Sequence, residues 1–137
     1  MMTAPAADLQ KALFAALAGD SALTALLGGA KIFDHAPTDV RFPYVTFGRT
    51  SIYDWSTSTE GGSEQLFTLH IWSKARGKKE ALDIMEAVKG RLDDAALALD
   101  EHHLVSLRFE YGEVRYDDDI SVHHGLLRFR AVIETSA

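Results

Sequence analysis

The segment Leu66-Phe67-Thr68-Leu69-His70-Ile71-Trp72-Ser73-Lys74-Ala75-Arg76-Gly77-Lys78-Lys79-Glu80-Ala81 changes its periodicity part-way along, and that change decides the fold. Before Ser73, Phe67, Leu69 and Ile71 share one side of an extended chain, with Leu66, Thr68, His70 and Trp72 on the other. After the basic turn from Ser73 to Gly77, Ala81, Met85, Val88 and Leu92 recur at spacings of four, three and four, which is one stripe of a helix. A strand that turns at once into an amphipathic helix predicts a two-layer unit. Nothing in this segment carries a recognisable reaction, so it speaks to architecture and not to chemistry.

Towards the C-terminus, Asp93-Asp94 and the Ala/Leu run to Leu99 either extend the helix or form a turn. Two alternating stretches then predict a long antiparallel hairpin: Val105, Leu107, Phe109 and Tyr111 in one strand, Leu127, Phe129, Ala131 and Ile133 in the other. A five-residue loop from Asp117 to Ser121 sets Phe109 opposite Phe129, Val105 opposite Ile133 and Glu110 opposite Arg128, apolar on apolar and acid on base. It also sets Arg108 against Arg130, with Glu110 placed to relieve them diagonally.

Towards the N-terminus, Leu9, Leu13 and Leu17, with Phe14 beside them, predict a helix over Ala6 to Ala18 that Gly19 ends. Asp20 or Ser21 caps a second short helix, stopped by Gly28-Gly29. Ile32-Phe33 reads as a short strand and Tyr44 to Ile52 as a longer one, with Gly48 marking a bulge or the close approach of another backbone. Tyr53 to Ser63 has the composition of a long mobile connection. Trp55 within it either folds back on the sheet edge or docks a partner, since tryptophan is enriched at interface hot spots. The sum is an α+β domain spanning 1–137, with an antiparallel sheet of about four main strands, a long C-terminal hairpin, and helices packed mainly on one face.

At 137 residues the chain is long enough to bury a single core of its own. Without cysteine it has neither a disulfide framework nor a thiolate zinc site. No apolar run reaches the ~20 residues of a membrane span, and the N-terminal segment lacks the basic start and apolar block of a signal peptide. A net charge of -6 argues against coating nucleic acid, because phosphate binding needs an excess of Lys and Arg.

Candidate chemistry is sparse. His102-His103 and His123-His124 are adjacent on strands and point to opposite faces, so neither pair chelates as a unit. His70 reads as a hydrogen-bonded or partly exposed histidine. Asp117-Asp118-Asp119 lacks the glycine and distal glutamate of a calcium loop. No phosphate loop and no nucleophile elbow is written in the chain. The expectation is therefore a protein that is not an enzyme, with no cofactor and no metal. Lys74, Arg76, Lys78 and Lys79 crowd the start of a helix whose end is already partly positive. That placement points to an anionic partner, or to simple solvation.

Several stretches, in order, resemble one family: the Leu-rich N-terminal helix up to Asp20–Leu27, Phe42-Pro43-Tyr44-Val45-Thr46, the segment from Leu69 to Ala81, Leu104 to Phe109, and His124-Gly125-Leu126-Leu127-Arg128-Phe129-Arg130. This pattern resembles the tail-completion, or tail-terminator, proteins of long-tailed phages and of gene transfer agents. The resemblance implies a structural protein in the tail of a virion or phage-like particle assembled in the bacterial cytoplasm. It implies a homo-hexameric ring that caps the tail tube protein, stops polymerisation and joins the head-tail connector protein, with DNA passing through without specific binding and no membrane partner. Lys74, Arg76, Lys78 and Lys79 against Asp117, Asp118 and Asp119 are candidate contacts of opposite sign, and Tyr53 and Trp55 a second candidate contact. The alternatives are another ring component of the particle, such as a tube subunit or connector, and a small-molecule-binding α+β domain with a pocket between helix and sheet.

Overall fold

The computed structural model describes residues 3–58 and 60–135. In chain order the elements are α1 (Pro5–Ala18), α2 (Ser21–Leu27), β1 (Ile32–Phe33), β2 (Tyr44–Asp54), β3 (Gly61–Ser73), α3 (Lys79–Leu92), β4 (His103–Asp117) and β5 (Val122–Thr135). They form one sheet of order β1-β2-β3-β5-β4. The four long strands are antiparallel, and β1 adds a two-residue parallel edge to β2, fixed by the Val45 N–H on the Lys31 carbonyl.

All three helices lie over one face. Ala81, Ile84, Met85, Val88 and Leu92 of α3 are buried against Phe67, Leu69 and Ile71 of β3 and Leu127, Phe129, Ala131 and Ile133 of β5. The strand-to-helix turn is held by Ser73, whose hydroxyl donates to Glu80 at 2.7 Å and accepts the Ala75 N–H at 3.2 Å. Glu80 thus places a carboxylate in the first turn of α3, which offsets the lysines crowded there. Asp20 caps α2 by accepting the Leu23 N–H, and Gly28 ends it in the left-handed conformation glycine permits.

Phe109 faces Phe129 and Arg108 faces Arg130 as expected, but β4 carries a bulge on either side of that pairing. Leu104, not Val105, therefore faces Ile133, and Tyr111, not Glu110, faces Arg128. Each extra residue is absorbed on the edge strand, which has a neighbouring strand on one side only. Val105 and Tyr111 turn outward as a result. The hairpin closes at Asp117 opposite Val122, so its loop is the four residues 118–121 and not five. Glu110 still reaches Arg128 at 3.1 Å, while Arg108 and Arg130 are separated by other partners than expected: Asp93 takes Arg108 at 3.2 Å and Glu64 takes Arg130 at 2.9 Å.

The expected long connection after Tyr53 is short. Asp54 pairs with Ser63 and Tyr53 with Glu64, so both strands run into it and only residues 55–60 connect them. Phe14 is 45% exposed, while Asp8 is buried. The Asp8 carboxylate accepts the backbone N–H groups of Asp100, Glu101 and His102 at 3.0, 2.9 and 3.1 Å, tying α1 to the segment that enters β4. Burial pushes this carboxyl up, but the three amides, with His102 nearby, outweigh it and hold it below the usual range.

Because the folded Asp8 pKa lies below the unfolded one, its stabilisation is present above about pH 4 and is lost as pH falls through the native value. Asp8→Ala should lose about 2 kcal/mol at neutral pH by stranding amide donors, with the deficit shrinking in acid. Denaturant unfolding at both pH values checks this, and an unchanged midpoint would show the carboxylate to be dispensable.

Candidate functional site

The side of the sheet away from the helices carries the residues that alternate with the core. Trp72 sits opposite His124 across β3 and β5, and their rings stack at 4.1 Å with planes 3° apart. The indole N–H of Trp72 donates to Thr46 on β2 at 3.0 Å. Tyr44 stacks on Trp72 at 6.2 Å, and Phe42 packs on Tyr44 at 5.0 Å with the Lys74 ammonium over its outer face. At the other end of the row, His70 Nδ1 and His124 Nε2 share a hydrogen bond of 2.7 Å. A row of rings thus crosses three strands with no helix over it.

Burial pushes both imidazoles below the ordinary histidine value. For His124, the nearness of His70 and Arg115 adds to that, against the pull of Glu113 and Asp117. One ring must donate and the other accept in this bond, so a neutral pair satisfies it and a doubly protonated pair places donor against donor.

Beside the row lies a groove. Its walls are Arg49 and Tyr53 from β2, Leu66 and Thr68 from β3, and Leu126 and Arg128 from β5. The register of β2 slips between Phe47 and Thr50, and this bulge turns Arg49 onto the bare face. Gly48 marks the bulge, and what closes in on it is side chain and not backbone: a Cβ there would run into the ring of His70 and the hydroxyl of Thr68. Arg49 has no carboxylate partner among the described residues, whereas Arg128 is held by Glu110 and lies over the Tyr111 ring. On the opposite, helix-covered face, the gap between α1 and the sheet is about 10 Å³, the size of one water. That is too small for the ligand a small-molecule-binding domain would take.

The expected contact residues fall at two ends of the sheet. Ser73 faces His123 and Asp117 faces Val122, so the basic turn and the acidic hairpin tip lie at the same end. Of the four cations there, Lys79 is answered by Asp83 at 2.6 Å and Lys74 by Phe42; Arg76 and Lys78 have no carboxylate partner among the described residues. Asp117 accepts the Asp119 N–H at 3.0 Å, and Asp118 and Asp119 make no ion pair among the described residues.

Tyr53 and Trp55 lie towards the other end, where Gly61 faces Thr135. Tyr53 is 55% exposed in the groove. Trp55 folds back: its ring covers Gly62, where a Cβ would collide with it, and its indole N–H is buried without a hydrogen-bond partner among the described residues. Reading the sequence did not single out Arg49, Leu66, Leu126, Arg128 or His124 as a surface. The signal available was Leu66, Thr68, His70 and Trp72 alternating with the core. Which residues of β2 and β5 join them depends on cross-strand register.

A family model described as Tail completion protein gp17 matches residues 11–134 of the chain. Among solved structures, a chain of the structure described as "Virion of native gene transfer agent (GTA) particle" is 30% identical with a TM-score of 0.89, over 97% of this chain and 99% of that one. No curated protein sequence matches the chain.

The two depressed histidines give the fold a pH dependence. The unfolded chain binds protons below about pH 6.5 that the native pair refuses, so stability falls as pH drops through that value and is level above it. Replacing both (His70→Gln with His124→Gln) should flatten the curve of unfolding free energy between about pH 5 and about pH 7. A slope that survives in the double variant would place the titration elsewhere.

Proposed function

We propose a ring-forming terminator of the tail tube, from the premise that this chain belongs to the Tail completion protein gp17 family. Membership makes it a structural protein of a phage-like tail, and the 30% identical chain of similar fold belongs to a gene transfer agent virion. In our reading, copies of the chain form a homo-hexameric ring on the last ring of tube subunits, stop its growth, and offer their other side to the head-side connector.

The observation that carries this reading is the bare sheet face. Trp72, Leu66, Leu126 and Val132 are only half-buried there, and Tyr53 stands exposed beside them. An apolar and aromatic surface of this kind on a small acidic protein fits burial against neighbours. The two ends differ in chemistry: one carries Arg76, Lys78 and the Asp117–Asp119 run, the other the connection after Tyr53. Dissimilar ends suit a ring that meets a tube on one side and a connector on the other. The net charge of -6 suits a channel that DNA crosses without being held, because carboxylates repel phosphates.

Electron microscopy of particles from producer cells lacking this gene tests the reading. Overlong, irregular tails without heads are expected; normal tails on full heads would sink the terminator role, and absence of tails would make the protein a tube subunit or an earlier factor.

The charged end has its own test in the same cells. Arg76→Glu with Lys78→Glu should reproduce the overlong tails while the purified variant unfolds at or slightly above the wild-type midpoint, since neither side chain has an ionic partner among the described residues and carboxylates suit the start of α3. Normal tails from that variant would remove these two residues from the contact.

A further inference from the structure

The geometry points to a subunit contact in which the acidic hairpin tip of one copy docks in the groove of the next, Asp118 and Asp119 meeting Arg49 and Arg128 while Ile120 packs on Leu66 and Leu126. This rests on the ring reading above and names the contact that closes the ring.

The groove and the tip are complementary in two independent respects. The groove carries Arg49 and Arg128 at its rims; Arg128 is paired with Glu110, and Arg49 has no carboxylate partner among the described residues. The tip is anionic: its carboxylates share a shallow hollow with Arg115, yet Asp118 and Asp119 make no ion pair among the described residues. The groove floor is apolar at Leu66 and Leu126, and the tip adds to its carboxylates one large apolar side chain, Ile120, which is 53% exposed. A site selecting an anion alone would not need that floor, and a purely apolar contact would not need the arginines.

The groove's occupant cannot be the tip of the same chain. Val122, beside the tip, is separated from Leu126 by roughly 13 Å of strand at about 3.3 Å per residue. Val132, which lies level with Tyr53 through Glu64, is roughly 33 Å away along the same strand. The antiparallel pairing of Asp117 with Val122 holds the tip beyond the end of the sheet, pointing away from its own groove. Tip and groove are different surfaces, so the contact they make is head-to-tail, the kind that closes into a ring when the rotation between copies allows.

The chain has no cysteine, which makes the contact directly testable. The variant Arg49→Cys with Asp119→Cys is expressed in producer cells in place of the native gene, and purified particles are oxidised and run on a non-reducing gel. Covalent multimers of this chain are expected, with neither single-cysteine variant forming a ladder. Only monomer from particles whose tails are of normal length and contain the protein would overturn the contact while leaving the terminator reading intact; Arg49→Cys joined to a different tail protein would overturn it as well. A charge exchange gives a second, independent readout. Arg49→Glu alone and Asp119→Lys alone should each lose the protein from particles, and the two changes together should restore it. Restoration supports the contact, and equal loss in the combined variant overturns it.

Discussion

Phe67, Phe129 and Phe109 meet across three neighbouring strands beneath α3. Phe67 and Phe129 stack at 5.4 Å with planes 10° apart, and Phe109 meets Phe129 edge-on at 5.7 Å. Phe67 lies directly opposite Phe129, and Phe129 directly opposite Phe109, so this one contact pins the register of β3, β5 and β4 together. A slip of one residue would send every ring to the other side of the sheet. Pinning the core face therefore pins the bare face too: once Phe67 and Phe129 point inward, Leu66, His70, Arg128 and His124 point outward by the alternation of the strand.

Bulges then adjust what alternation alone would produce. The slip after Phe47 carries Arg49 and Tyr53 onto the bare face, where they complete a groove begun by Leu66 and Leu126. The two bulges of β4 bury Leu104 and leave Val105 and Tyr111 outside. The same edge strand is secured from beyond its margin: Asp93, at the end of α3, accepts the Phe109 N–H at 2.9 Å, and the Asp94 N–H donates to the Leu107 carbonyl at 2.8 Å. These bonds use up the open edge of β4 near the core and leave its outer half, towards the tip, as a free edge.

A subunit of an assembly has to fold before its neighbours arrive, and the division of labour between the two faces allows it. The helix-covered face holds the large fully buried side chains, so stability does not wait on a partner. The other face is held by side-chain contacts of its own, the Trp72–His124 stack and the Glu64–Arg130 and Glu110–Arg128 pairs. Exposed ion pairs add little to stability, but they tie neighbouring strands together through their long side chains.

Much of this was legible in the residues themselves. The period change at Ser73 located β3 and α3, the four-residue spacing of leucines located α1, and Asp20 and Gly28 marked the limits of α2, because each is a local rule of backbone and side-chain geometry. The ordered set of stretches from the N-terminal helix to Arg130 was enough to indicate the tail-completion family, since such a pattern survives when individual residues change. Tertiary structure alone decided what lies between strands. The bulges at Arg49, Val105 and Glu110, the shortened connection after Asp54, the burial of Asp8 under three distant amides and the meeting of His70 with His124 all depend on residues far apart in the chain. Local propensity has no term for such partners: register is set by the best packing of whole strands, and only after it is set does a lone arginine or histidine acquire its neighbours.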